Sequence, residues 1–343
     1  MRAVVITRHG PPEVLQVQDR PDPIAGPGEV RVAVKAAGIN FADLLARTGM
    51  YPDAPKPPMV VGYEVAGEVE SLGEGVEEFT VGDRVIAGTR FNGQAELVVA
   101  GADAVLPLPD DLSFEQGAAI PVNYATAYAG LVIMGGVQAD DRVLIHAAAG
   151  GVGISATQIA KQRGAEVFGT ASPEKHDAIR AQGVDHPIDY RNEDFAEVVM
   201  RITEGEGIDV AFDAIGPSSF RKDYKILRSG GRLICYGLSE VQTGEQRNLP
   251  GLLKSVASMT TATMPWWKSM MMLNENKGVF GLNMLSWWDR EGTMNRALDP
   301  LLDGFSSGAF TPVVAEAFPF DRAAEAHRFI HERKNVGKVV LVP

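Results

Sequence analysis

The stretch Val143-Leu144-Ile145-His146-Ala147-Ala148-Ala149-Gly150-Gly151-Val152-Gly153 joins an apolar strand to a turn built from small residues, and the turn opens onto a helix-like run, Ile154 to Lys161. Such a turn lets the N–H groups at a helix N-terminus approach a pyrophosphate with no side chain in the way, which is the chemistry of dinucleotide binding. Set against G-x-G-x-x-G spacing, Gly150 and Gly153 take the second and third glycine positions and Ala148 takes the first. Alone, the pattern also fits a small-residue turn in any α/β core. The downstream context favours the dinucleotide.

Glu166-Val167-Phe168-Gly169-Thr170 is the expected second strand, about twenty residues beyond the turn. A site for NAD places Asp or Glu just after that strand, to accept hydrogen bonds from the ribose 2′-hydroxyl. Here the chain reads Ala171-Ser172-Pro173-Glu174-Lys175, with no carboxylate at the strand end. Ser172 and Lys175 would instead bind a 2′-phosphate. A helix-capping Ser172 and a solvated Lys175 are the alternative. The provisional reading is NADPH rather than NADH.

These residues must be positioned by the rest of a 343-residue chain, 45% apolar and 22% charged, long enough for two domains. The formal charge of −12 and a pI near 5, with no basic run, argue against nucleic acid or an anionic membrane as partner. Cys235 is the only cysteine, so neither an intrachain disulfide nor a cysteine-rich metal site is expected, and its apolar strand Arg232–Tyr236 marks it as core. The chain opens on the strand-like Met1-Arg2-Ala3-Val4-Val5-Ile6, without a signal or transit pattern, and a reducing cytoplasm is the expected location. Gly117 to Val137 is apolar enough to raise the question of a membrane segment. Its Pro121, Asn123, glycines and tyrosines favour a buried helix between domains.

By pattern the chain falls into residues 1–121, 122–290 and 291–343. The first part alternates short strand-like runs (Val30–Val34, Val65–Val69, Asp83–Ile86) with Gly and Pro, predicting a small, mostly antiparallel, barrel-like domain. In the second, Val143–His146, Val167–Thr170, Asp209–Asp213 and Leu233–Tyr236 alternate with helical patterns, predicting a doubly wound parallel sheet. The last part returns to strand, helix and a closing strand, Gly337–Val342, which would complete the first domain.

The chain resembles, along essentially its full length, a zinc-independent medium-chain dehydrogenase/reductase of the quinone oxidoreductase group, nearest its vesicle amine transport protein-like branch. The resemblance is carried by Ala37–Asp43, Gly62–Gly67, Val81–Val85, Ala147–Gly153, Val167–Ser172, His186–Tyr190 and Asn335–Val340. It implies a GroES-like catalytic domain and a Rossmann domain, α/β overall, with NADP(H) in the cleft between them. It further implies that Gly150, Gly151, Val152 and Gly153 carry the pyrophosphate. Ser172, Lys175 and Tyr190 would hold the 2′-phosphate, with Arg333 a further candidate. Thr126, Gly216, Tyr236 and Asn335 would line the rest of the cofactor channel, and Phe280 and Leu282 would approach the nicotinamide. Without the resemblance, Tyr190 reads as an ordinary half-buried tyrosine.

Zinc-dependent relatives use Cys, His and Cys for a catalytic zinc and a four-cysteine lobe for a structural one. Asn40 and Tyr63 stand here at the first two of those positions, and neither amide nor phenol is a usual zinc ligand at neutral pH. His327 and His331, four apart, read as helix-surface residues, and the six histidines form no ligand-spaced cluster. No metal is expected. Without a Lewis acid, an alcohol–ketone interconversion fits poorly, whereas quinones and α,β-unsaturated carbonyls delocalise the developing charge. Asn40, Tyr51 and Tyr63 are the candidate hydrogen-bond donors to that oxyanion, with Asp43 ordering them and water supplying the proton. A loop-capping Asn40 and a turn tyrosine at 51 are the bland alternatives.

The segment from Met264 to Trp288 holds all four tryptophans and the run Met270-Met271-Met272. It reads as a dimer interface, with Lys277–Leu282 resembling the strand that pairs subunits in this family; a pliable lid over the active site or a lipid-binding surface are alternatives. Two functions stay open at this point. One is an NADPH-dependent reductase of small hydrophobic quinones or enones; the other is a non-catalytic, NADPH-bound protein that binds hydrophobic ligands or lipid.

Overall fold

The computed structural model describes residues 1–241, 269–288 and 293–343, arranged in two compact units. Of the described residues, the first comprises 1–125 and those from 284 to 343, and the second comprises 126–241 and 269–283. Among the described residues the chain passes from the first unit to the second at Ala125/Thr126, and Met284 again belongs to the first.

The first unit is built on strands β1 (Arg2–Ile6), β2 (Leu15–Asp19), β3 (Glu29–Ile39), β4 (Met59–Val60), β5 (Glu64–Leu72), β6 (Arg84–Gly88), β7 (Leu97–Gly101) and β8 (Val105–Pro107). Its C-terminal part adds strands at Val314–Pro319 and Lys338–Val342. The long β3 organises it, pairing antiparallel with β5, with β7 and with the closing strand. Through its first six residues half-buried and buried positions alternate, as expected of a strand with one face on a core. Val30, Val32 and Val34 enter a core with Val65, Val85 and Val98. Each such fully buried side chain contributes about 1.5–3 kcal/mol.

The second unit carries β9 (Arg142–Ile145), β10 (Glu166–Ala171), β11 (His186–Asp189), β12 (Ile208–Asp213), β13 (Leu227–Cys235) and β14 (Gly278–Gly281). All pair in parallel, in the order β11-β10-β9-β12-β13-β14. Numbered within this sheet, that is 3-2-1-4-5-6, the doubly wound arrangement of dinucleotide-binding folds. All six residues of β12, Ile-Asp-Val-Ala-Phe-Asp, are buried, because helices cover both faces of such a sheet. The strands of the first unit thus form a GroES-like β domain and those of the second a Rossmann sheet.

The final strands are numbered β15 (Val314–Pro319) and β16 (Lys338–Val342). Between them the helix Ala323–His331 turns Ala323, Ala326 and His327 inward, so His327 is fully buried and not a surface residue. The expectation of helix-surface placement fails because 327 falls on the same 3.6-residue stripe as Ala323 and Ala326.

Phe114–Met134 is apolar and long enough to cross a membrane, but most of it is buried within the protein. Its backbone is broken into Phe114–Gly117, Pro121–Tyr128 and a π-helical turn, Ala129–Met134. The Trp- and Met-rich segment is not one element. Pro265, Trp266 and Trp267 lie outside the described residues; Met271 and Met272 pack against the core of the second unit, and Trp287 belongs to the first.

Candidate active site

The switch point of a doubly wound sheet lies where strand order reverses, here beyond the C-terminal ends of β9 and β12. The turn after β9 occupies it. Gly150 is the N-cap of the helix Gly151–Gln162, whose own ladder begins with Ile154 N–H donating to the Gly150 carbonyl at 2.9 Å. The N–H groups of Gly151, Val152 and Gly153 precede that bond and are the donors a helix start leaves for a ligand. A Cβ on Gly153 would lie 2.4 Å from the Ala147 carbonyl oxygen, so only glycine closes this turn. Ala148, in the place of the first glycine, is accommodated from across the sheet, since a Cβ on Gly169 of β10 would lie 2.9 Å from the Ala148 Cβ.

The other expected cofactor residues of this unit follow the ends of successive parallel strands: Ser172 and Lys175 after β10, Tyr190 after β11, Gly216 after β12, Tyr236 after β13 and Leu282 after β14. Ser172 is buried and Lys175 half-buried, whereas Tyr190 is exposed. Tyr236 stacks on Phe212 with ring centroids 4.0 Å apart. Leu282 is buried and Phe280 exposed, and Thr126 is buried in the helix Pro121–Tyr128. Arg333 and Asn335 belong to the first unit, where the Asn335 amide donates to the Gly337 carbonyl at 2.9 Å.

Two features of this edge were not visible in the sequence. Glu174, three residues past the strand end, hydrogen-bonds Ser172 and lies 3.1 Å from the Arg191 guanidinium, which also bonds Tyr190. The strand end itself thus carries Ser172, as expected, while Glu174 on the turn that follows is paired with Arg191, a cation that the sequence reading missed. The second feature is a buried cluster. His146 Nε2 is 2.9 Å from Asp223 Oδ1 and 3.9 Å from Asp213 Oδ2, and Ser219 Oγ donates to Asp213 at 2.5 Å. Among the described residues these three side chains have the spacing of a cation site. His146 is hydrogen-bonded to Asp223, and Asp213 bonds Asp223 and Ser219 while lying beyond hydrogen-bond reach of His146. Burial, reinforced by Asp223, pushes Asp213 up to about 8. Burial opposes protonation of His146, but Asp223 and Asp213 outweigh it and raise its pKa.

In the first unit the four expected catalytic residues come together. Asn40 precedes the helix Phe41–Thr48, and Asp43 accepts the N–H of Asn40 at 2.7 Å and of Gly62 at 3.0 Å. Burial outweighs those two donors and lifts the Asp43 carboxyl to about 7. Tyr51 and Tyr63 meet edge to face, centroids 6.2 Å apart, and Tyr63 tilts against Phe91. The Tyr63 ring is buried, and its hydroxyl finds no partner among the described residues. Burial, with the Asp43 charge adding to it, holds the Tyr63 phenol far above its ordinary value and Tyr51 at about 12. Near neutral pH both phenols therefore keep their protons. The Asn40 amide is bonded to Glu64 and Lys338, two buried residues that the sequence reading passed over.

The sequence from 26 to 110 matches the alcohol dehydrogenase GroES-like domain family, and 182–341 matches the zinc-binding dehydrogenase family, a stretch that includes neither Asn40 nor Tyr63. The chain belongs to the medium-chain dehydrogenase/reductases, in the quinone oxidoreductase group beside the VAT-1 branch. It is 36% identical to the synaptic vesicle membrane protein VAT-1 homolog of Homo sapiens, covering 100% of this chain and 86% of that protein. Among solved structures it is similar to Escherichia coli quinone oxidoreductase complexed with NADPH (29% identity, all of both chains, TM-score 0.85). The CurK enoyl reductase is also similar (27% identity, 99% of this chain and 98% of that one, TM-score 0.85).

Proposed function

We propose that the protein is an NADPH-dependent, zinc-independent reductase that passes hydride to quinones or α,β-unsaturated carbonyls. The observation that carries this reading is the donor set around Asn40. A buried phenol with no partner and an oriented amide stand where zinc-dependent relatives hold Cys and His. Neither group is a usual metal ligand, and both can donate to an oxyanion.

The residues of the second unit fit the dinucleotide. The N–H groups of Gly151, Val152 and Gly153 bind the pyrophosphate, and Ser172, Lys175, Tyr190 and Arg191 take the 2′-phosphate, displacing Glu174. NADPH, when bound, supplies the hydride from nicotinamide C4. Asn40 and Tyr63 donate to the acceptor oxygen as negative charge grows on it, and solvent water returns the proton. With hydrogen bonds rather than a cation available, the acceptor must spread its own charge, which favours quinones and enones over simple ketones. Among the described residues β14 ends the sheet, with Phe280 exposed along it, and we infer that a second copy pairs there to make a homodimer.

The test is NADPH oxidation by the purified protein across ortho- and para-quinones and conjugated enals, with NADH alongside. Turnover faster with NADPH is expected. Tight NADPH binding with no turnover on any acceptor would favour a non-catalytic protein of the same fold that binds hydrophobic ligands or lipid.

A further inference from the structure

The Asn40 amide is held at each end by a group that can play only one role. Lys338 Nζ lies 2.6 Å from Asn40 Oδ1, and Glu64 Oε1 lies 2.8 Å from Asn40 Nδ2. An ammonium cannot accept and a carboxylate cannot donate, so a flipped amide would oppose donor to donor and acceptor to acceptor. Chemistry therefore fixes the amide's orientation, and one of its two N–H bonds is left beyond the one given to Glu64.

The clamp is itself fully built. Glu64 is completely buried and Lys338 almost so, and the two form a direct ion pair. Lys338 also reaches Asn123 Oδ1 at 3.3 Å, while Asn123 gives its own amide hydrogen to the Ala119 carbonyl at 3.0 Å. Glu64 Oε2 accepts the Val122 N–H at 2.7 Å. Gly38 makes the space, because a Cβ there would lie 2.6 Å from Glu64 Oε1 and 2.7 Å from the Ala118 carbonyl. All three Lys338 hydrogens are given to Glu64, Asn40 and Asn123, so none is left to point at the acceptor.

We propose that the buried Lys338–Glu64 pair is a positioning device that makes Asn40 present an N–H, and not its carbonyl, to the acceptor oxygen. This rests on the reading of Asn40 as the oxyanion donor. It adds a specificity rule, because the site matches substrates that bring a carbonyl or quinone oxygen and gives nothing to a group that brings only its own hydrogen. Burying two charges is costly unless they are paired and hydrogen-bonded, and here the pairing is used to hold a neutral amide.

The test compares wild type, Asn40→Ala, the neutral pair Lys338→Met/Glu64→Gln, and the triple variant, with phenanthrenequinone and saturating NADPH. Removing both charges together leaves no lone buried ion, and thermal melting with NADPH affinity confirms the fold. Asn40→Ala is expected to lower kcat about 100-fold. The double variant should lower kcat by up to about 100-fold, as misplacement of a catalytic group does, with NADPH affinity unchanged. The triple variant should be no worse than Asn40→Ala, since the pair acts through that amide. Lys338→Arg keeps the ion pair but displaces the donor on Oδ1, and should show a smaller loss confined to kcat. If Asn40→Ala loses turnover while the folded double variant and Lys338→Arg keep wild-type kcat, the positioning role is overturned and the donor role of Asn40 stands. Losses that add in the triple variant also overturn it. If Asn40→Ala turns over like wild type, the donor reading itself fails and the clamp falls with it.

Discussion

Glu174 holds the ground that a 2′-phosphate would take. It bonds Ser172 and Arg191, the serine and arginine that would receive the phosphate. Glu174→Ala is therefore expected to tighten NADPH about two- to fivefold, the worth of an exposed charge contact, and to leave NADH unchanged. Fluorescence titration of both nucleotides measures this. Weaker binding of NADH would instead make Glu174 an acceptor for the ribose hydroxyl. At this scale the sequence showed what was local. Ser172 and Lys175 could be read directly after a recognisable strand, and Asn40, Asp43 and Tyr63 through family motifs. Arg191 follows Tyr190 immediately, but its importance depends on β10 and β11 lying side by side, a tertiary fact. Lys338 is 298 residues from Asn40 and Glu64 is 24 away, so no periodicity or spacing could have linked them.

Among the elements, the turn after β9 shows how a motif departs from its pattern and still works. Ala148 fits in place of glycine because β10 supplies Gly169 opposite it. Gly169→Ala places a methyl against both Ala148 and Val184, and should destabilise the protein by about 1–3 kcal/mol through overpacking. It should weaken NADPH as well, by shifting the turn. Ala148→Gly in the same chain should restore part of both losses, as urea denaturation and nucleotide titration would show. No recovery would mean that Val184 alone sets the limit. The strand–turn–helix was legible because its signal lies within about thirty residues. The His146–Asp213–Asp223 cluster was not, since its members come from three separate elements.

Across the whole molecule, buried ionisable groups tie stability to pH. Asp213, lifted to about 8 by burial and by Asp223, keeps its proton in the native state over a range where the unfolded carboxyl, near 3.9, has lost it. The native state then binds more protons than the unfolded one, and this group's contribution to stability falls as pH rises from about 4 to about 8. His331, lowered to about 4 by burial and Arg47, acts oppositely between about 4 and 6.5. His327, which burial and Arg47 also hold well below 6.5, acts in the same direction, since the unfolded state takes up their protons. The difference in unfolding free energy between wild type and Asp213→Asn isolates the carboxyl, and wild type should lose ground to the variant steadily up to about pH 8. A difference independent of pH would place the Asp213 proton elsewhere.

In the reaction proposed for this chain, hydride moves from NADPH to the acceptor without a metal. The most direct measurement supplies NADPH carrying deuterium at both C4 positions, a conjugated enal and a strong chelator, and examines the product by mass spectrometry and NMR. The account predicts one deuterium at the β-carbon of the saturated aldehyde, at a rate the chelator does not change. Bound NADPH with no labelled product, or label transfer abolished by chelation and restored by zinc, would contradict it.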